Sequence, residues 1–316
     1  MNPEIVSIGD ERSGSTAKIL VGLGFNCFSF QVPTDLQPVE VLYAPPDFAS
    51  GTVRPSHGGI PLLFPFAGRL AGSEITFRGA TYSIGDLDDH MGNAIHGYVL
   101  NRPWQVVEAG PRRVVGQFHA ATLAPGLLKK WPANFRLTVA YEVSGRSLVC
   151  DITIDNPDDK PLPMGLGTHP YFRLPLGLSG QAAECRIRVP AREIWPRGEM
   201  LPTGEHVPLA PGDAIARGVR FADTELDDVY GGLEFRDGVC STSIEDPASG
   251  RTMTQTFDEF FRACVVFNPP HRQAICIEPY SCIPNAYALA ERGIDAGLRV
   301  LTPGESVATR FTISLS

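Results

Sequence analysis

An all-β architecture, a large antiparallel β-sandwich with few and short helices, is the fold class that this sequence predicts. Two-residue alternation of apolar and polar side chains recurs along most of the chain, and 32 Gly and 28 Pro break it at short intervals. No strand–helix–strand rhythm is present. Gly and Pro at this density mark turns and discourage long helices. The 316 residues could make two average domains, yet sandwiches and barrels of this order also occur as one. Pro202 to Gly212 is the most turn-rich interval, but strand patterns resume on both sides, with no linker or internal repeat. One domain spanning 1–316 is therefore expected.

Taken in chain order, Ile75–Phe77 and Tyr82–Ile84 form a hairpin around Arg78-Gly79-Ala80, and a strand follows near 113–122. The clearest pair comes next. Leu137, Val139, Tyr141 and Val143 alternate with Arg136, Thr138, Ala140 and Glu142. After Ser144-Gly145-Arg146-Ser147, Leu148, Cys150, Ile152 and Ile154 alternate with Asp151, Thr153 and Asp155. Such half-buried strands on either side of a tight turn pair as a hairpin, which Asn156-Pro157-Asp158-Asp159 ends. Further strands are expected near 185–190, 263–268 and 274–278, then a C-terminal strand with Val307, Phe311, Ile313 and Leu315 on one face. Only Ala286–Arg292 reads as helical.

Composition narrows the function classes. Hydrophobic residues make up 43% and charged residues 20%, ordinary for a soluble globular protein. The formal charge of -8 opposes attraction to nucleic acid or an anionic membrane, so a neutral or locally paired small ligand is expected. Seven cysteines, an odd number, show no CxxC or zinc-ribbon spacing. They read as small buried hydrophobes suited to a reducing compartment. The start, MNPEIVSIGDERSGS, lacks the apolar run of a leader, and nowhere do about 18 apolar residues stand together. A cytoplasmic protein is the expectation.

Four polar interruptions of the β-pattern carry the chemistry. Phe64-Pro65-Phe66-Ala67-Gly68-Arg69 ends in a guanidinium, either a surface arginine or a planar fork suited to vicinal hydroxyls or a carboxylate. Asn93-Ala94-Ile95-His96-Gly97-Tyr98 sets a histidine beside glycine, and Gly165-Leu166-Gly167-Thr168-His169-Pro170-Tyr171-Phe172 does so again. A lone histidine near a turn is more often a satisfied structural side chain than a catalytic one. In Ala274-Ile275-Cys276-Ile277-Glu278-Pro279-Tyr280, apolar residues fill both faces ahead of Glu278. Pro279 is expected to end that strand, placing the carboxylate at its edge. A buried carboxylate requires a cation, donors or a polar ligand. Histidine and glutamate, with ordinary pKa values near 6.5 and 4.3, form a complementary acid/base pair. A neighbouring carboxylate would raise the histidine further. Phosphate loops, a GxSxG elbow and an HExxH helix are all missing. His57, His90 and His96 could serve as metal ligands, but their spacing fits no template.

In this order and spacing, FPFAGR ending at Arg69, AIHG at His96, THPYF at His169, LPTG at Leu201–Gly204 and CIEP at Glu278 resemble the aldose 1-epimerase (galactose mutarotase) family. The matching segments run from about residue 50 to 290. The resemblance implies a large β-sandwich and a cofactor-independent, metal-free interconversion of the α and β anomers of an aldose such as galactose or glucose. It implies that Glu278 is the base on the anomeric hydroxyl and His169 the acid on the ring oxygen. His96 matches a second active-site histidine, and Arg69 a sugar-contacting arginine. The family's sugar-holding aspartate falls in Glu225-Leu226-Asp227-Asp228-Val229-Tyr230, where the pattern favours Asp227 over Asp228. The partner implied is a small sugar, with no nucleic acid and no membrane. Three alternatives stand beside it. A hexose-phosphate mutarotase would need further arginines in the cleft, for which Arg54 and Arg173 are near in sequence, although the acidic net charge leans toward neutral sugars. A non-catalytic carbohydrate-binding protein could share the sandwich, and a metal-dependent sugar isomerase is motivated only by the histidines.

Overall fold

Residues 4–85 and 91–316 are described by the computed structural model, in which two large antiparallel sheets carry the fold. The first has nine strands, ordered Gln105–Ala109, Arg113–His119, Arg136–Ser144, Ser147–Asp155, Ser306–Leu315, Arg251–Asp258, Val239–Asp246, Arg186–Arg188 and Val219–Arg220. The second has eight. Val207–Pro208, Glu193–Trp195, Asp227–Gly231, Ala263–Phe267, Ala274–Tyr280, Gly167–Thr168 and Leu62–Leu63 lie in a row, and Tyr171–Arg173 also pairs with Ala274–Tyr280. Ile5–Asp10, Ser15–Leu20, Asn26–Val32 and Val39–Glu40 make a smaller sheet lying against Arg136–Ser144.

The predicted central hairpin forms with Leu137 opposite Ile154 and Ser144 opposite Ser147, turning through Gly145 at φ +60°. Its alternation decides its packing. Leu137, Val139, Tyr141, Leu148, Cys150 and Ile152 are all buried, and they join one continuous apolar cluster with Tyr230, Cys264, Val266, Ile275 and Ile277 of the second sheet. Each such aliphatic side chain contributes about 1.5–3 kcal/mol by leaving water. Cutting Ile152 to Ala, at 1% exposure, is expected to cost about 2–5 kcal/mol. All seven cysteines are free and buried.

Several boundaries differ from expectation for local reasons. The strand from 113 ends at His119, because the Asn134 side chain accepts from Ala121 N and turns the chain into the short helix Ala120–Leu123. Arg78 and Gly79, both at positive φ, make a two-residue turn, so Ala80 already pairs with Phe77. Arg186–Arg188 is shorter than predicted and stops ahead of Pro190. Ala286–Glu291 is helical as expected, and a further short helix besides Ala120–Leu123 forms at Ala214–Arg217. No helix among the described residues is long and apolar enough to cross a membrane.

Pro279 does not end its strand. Ala274–Tyr280 runs through it, buried on both faces, with Pro279 opposite Cys264. On the other side the strand changes partner. Tyr171–Arg173 pairs with Cys276–Ala274, Gly167 pairs with Tyr280, and residues 168–170 leave the ladder between them. Pro279 lies in that interval, where a missing N–H is tolerated as it is at a bulge.

Candidate active site

Register places the site. In the second sheet Asp227 stands opposite Phe267, Phe267 opposite Cys276, and Cys276 opposite Tyr171, while Val229, Val265 and Glu278 form the next row. Opposed residues share a face, and neighbours along a strand alternate. These side chains therefore face away from the sandwich core, whereas Tyr230, Val266 and Ile277 face into it. The outer face forms the floor of a cleft of about 230 Å³, at the small end for a ligand site. Glu278 sits within the strand rather than at its end, paired with Val265 on one side and facing on the other the interval between the Cys276 and Tyr280 pairings.

His169 belongs to the segment that leaves the ladder opposite Pro279. Its N–H donates to Pro61 O at 3.0 Å, and its imidazole stacks on Tyr171 with ring centres 4.9 Å apart and planes 3° apart. This brings His169 Nε2 within 3.4 Å of Glu278 Oε1. Tyr280 Oη donates to Glu278 Oε2 at 2.7 Å. Glu278 is 1% exposed and His169 6%. Burial drives the carboxyl well above its ordinary value, partly offset by the Tyr280 hydrogen bond. Burial also takes the imidazole down to about 3. Desolvation thus favours the neutral form of each group, and the pair holds a single proton on Glu278. Moving that proton across the contact gives carboxylate and imidazolium with the same proton count. Such a pair can accept a proton at one ligand oxygen while donating one at another.

Arg69 and His96 form one wall of the cleft, joined by the ribbon in which Arg69 pairs with Ile95 and Leu70 with Ala94. His96 N donates to Gly68 O, and His96 itself adopts φ +65°, a left-handed conformation uncommon outside glycine. Gly97 follows at φ +71°, and a Cβ there would lie 2.2 Å from Phe64 O. The glycine beside the histidine is thus a packing requirement, and the His96 imidazole lies 5.5 Å from that of His169 between ring centres.

Asp227 lines the cleft and pairs with Arg197 at 3.0 Å. Asp228, opposite Val266, points to the other face. Arg197, Tyr280 and the stacking role of Tyr171 escaped the sequence reading. Arg197 sits on the ribbon Arg197–Gly198 with Leu201–Pro202, whose turn residues Glu199 and Met200 both have positive φ, and the LPTG turn was the available signal. Of the two arginines considered for phosphate, Arg54 lines the cleft with His57, whereas Arg173 lies over the Tyr43 ring, outside it.

Of the three histidines considered as metal ligands, His90 lies outside the described residues, and His57 and His96 belong to no ligand cluster among them. The group that could hold an ion is His169, Cys276 and Glu278, whose ligand atoms lie within 4.8 Å of one another. Burial holds the Cys276 thiol protonated, and an ion there would take both members of the proton-sharing pair.

Comparison with known proteins places the fold and the family. The chain is 24% identical to the uncharacterized protein YihR of Escherichia coli K12 over 255 residues, 80% of this chain and 77% of that one. It is 29% identical to the aldose 1-epimerase of the same organism over 138 residues, 42% of this chain and 37% of that one. Its fold superposes on a galactose mutarotase-like protein from Clostridium acetobutylicum with a TM-score of 0.86 at 21% identity, covering 100% and 99% of the two chains. For a GalM/aldose epimerase homologue from C. elegans the TM-score is 0.80 at 18% identity, covering 99% of each. The family model described as aldose 1-epimerase matches residues 5–314, and the chain belongs to that family.

Proposed function

We propose that the protein is a mutarotase, interconverting the α and β anomers of an aldose by acid/base ring opening without a cofactor. The observation that carries this reading is the buried contact between His169 and Glu278 at the floor of a small polar-walled cleft. Ring opening requires one proton to leave the anomeric hydroxyl and another to reach the ring oxygen, two positions separated by one carbon. A carboxylate and an imidazole in contact match that separation.

In the proposed cycle the sugar meets the ionic form of the pair. Glu278 takes the proton of O1 as the C1–O1 double bond forms. The C1–O5 bond breaks, and its electron pair takes the proton from His169 Nε2. Glu278 is then protonated and His169 neutral, the state that burial favours, so desolvation assists opening. Rotation about C1–C2 presents the other carbonyl face. His169 recovers its proton as O5 attacks C1, and Glu278 returns its proton to O1. Tyr280 steadies the carboxyl, and Tyr171 holds the imidazole plane. Arg69, His96 and Asp227 are proposed to hold ring hydroxyls, with Arg197 fixing Asp227. A general acid or base of this kind contributes about 10²–10⁴ in rate.

Polarimetry or NMR exchange on freshly dissolved α-D-glucose, α-D-galactose and a broader sugar panel tests the proposal. Anomer exchange above the buffer rate, lost in Glu278→Gln, is expected. No acceleration on any sugar, or a fully active Glu278→Gln, refutes it. Sugar binding without exchange would instead favour a binding protein.

A further inference from the structure

The rim beside His169 carries an arginine that the neutral-sugar chemistry leaves unused. Resting on the mutarotase reading, we propose that Arg54 and His57 form a subsite for an anionic group on the exocyclic carbon of the sugar, a carboxylate or a phosphate ester.

Charge is the first argument. Asp227 and Glu278 are the acidic residues lining the cleft. Asp227 is matched by Arg197 and Glu278 shares its proton with His169, whereas no described ion pair includes Arg54. In a chain of net charge -8, Arg54 therefore brings to the cleft a positive charge that neither of its two carboxylates takes up. Guanidinium and imidazole side by side offer the donors that an oxyanion takes.

Construction is the second. Arg54 precedes the short 3₁₀ turn Pro55–His57 and His57 ends it, and that turn is tied down from behind. The fully buried Asn26 donates from Nδ2 to Pro55 O at 3.3 Å and to Gly58 O at 3.0 Å, and its Oδ1 accepts from Ile60 N at 2.9 Å. Tyr171 Oη donates to Ser56 O at 2.8 Å, and the same ring stacks on His169. The rim is therefore held in fixed relation to the acid of the pair, with its exposed side chains projecting from an anchored backbone.

Sugar geometry is the third. In a pyranose the carbon bearing the exocyclic group is bonded to the ring oxygen. If His169 serves the ring oxygen, that group leaves the ring on the His169 side, toward Tyr171 and the Arg54–His57 turn. Arg69 and Asp227 act electrostatically on Glu278, which places them around the anomeric end. Arg54 instead acts on Tyr171 and His57.

Calorimetric binding of methyl glycosides, which lack the anomeric hydroxyl proton and cannot open, tests the subsite apart from catalysis. Methyl glucoside and methyl galactoside are compared with their 6-phosphates and with the corresponding methyl uronides at low ionic strength. At least about tenfold tighter binding of one anionic form is expected, the size of a charge-assisted hydrogen bond, and the better anion identifies the group. Arg54→Gln, checked for unchanged melting, should bring the anionic-to-neutral affinity ratio toward one. Equal affinities in both series, or a preference that survives Arg54→Gln, overturns the inference. Anomer exchange of free sugars with no charge preference would sink this subsite and leave the activity standing. A charge preference among methyl glycosides without exchange of the free sugars would do the reverse.

Discussion

Replacing Glu278 by Gln keeps the shape of the side chain and an acceptor for Tyr280 while removing the proton that the buried pair shares. In the folded protein burial holds the carboxyl protonated well past its ordinary range, whereas in the unfolded chain it ionises near 4.3. Between those two values the folded state binds the extra proton, so wild-type stability falls as pH rises, by up to about 1.4 kcal/mol per pH unit. Glu278→Gln escapes this loss. Its stability relative to wild type should climb by that slope from pH 5 upward, until the folded carboxyl ionises. The opposing contribution of His169, neutral when folded above about 3, is present in both proteins and cancels in the difference. Urea unfolding midpoints at pH 5, 6 and 7 measure it, as do melting temperatures, where about 1 kcal/mol corresponds to about 2 °C in a chain of this size. Anomer exchange should fall by about 10²–10⁴ in the same variant. A more stable, inactive protein is the expected result, with the carboxyl maintained at a cost in stability. Parallel stability–pH curves for the two proteins would show that Glu278 ionises normally when folded, and the assignment of the resting proton would fail.

Asp227→Asn should raise KM for the sugar by about tenfold, whereas Asp228→Asn, on the opposite face, should leave it within twofold; steady-state polarimetry of both variants decides, and the reverse ranking would move the sugar contact to Asp228. Gly97→Ala places a methyl carbon against Phe64 O at a left-handed φ, so a loss of at least about 2 kcal/mol is expected by urea unfolding, and an unchanged midpoint would contradict that packing. Zinc should inhibit exchange by engaging His169, Cys276 and Glu278, more strongly as pH rises because ligands must lose protons. Chelation should restore activity, and Cys276→Ser should weaken the inhibition; inhibition indifferent to that change would place the ion elsewhere.

Much of the fold was legible because a half-buried strand writes its burial into alternate residues. The hairpin joining Arg136–Ser144 to Ser147–Asp155 is the plainest case. Ala274–Tyr280 carried the opposite signature, apolar on both faces, and is buried on both. Local rules failed where a distant residue decides. Asn134 ends the strand at His119, and nothing near His119 announces it. In the cleft, His169, Glu278, Arg69, His96 and Asp227 stand in segments whose glycines, prolines and aromatics break the β-pattern. Arg197, between Pro196 and Gly198, carries similar markers, but they do not say what its guanidinium meets. Its place depends on a carboxylate thirty positions along the chain and on a turn of two non-glycine residues at positive φ.

Pro279 is the instructive failure. Proline interrupts a ladder, but an interruption in a central strand can be absorbed by its neighbour. Here residues 168–170 leave the ladder to Ala274–Tyr280 opposite it, although Thr168 still pairs with Leu62, and the chain rejoins that ladder at Tyr171. A regular neighbour would direct alternate side chains into the sandwich core or onto the floor of the cleft, in fixed register with Glu278. The irregular crossing instead lets His169 approach Glu278 from beside the strand and stack on the Tyr171 that restarts the ladder. The proline that was expected to expose the carboxylate thus lies beside the gap that admits its partner.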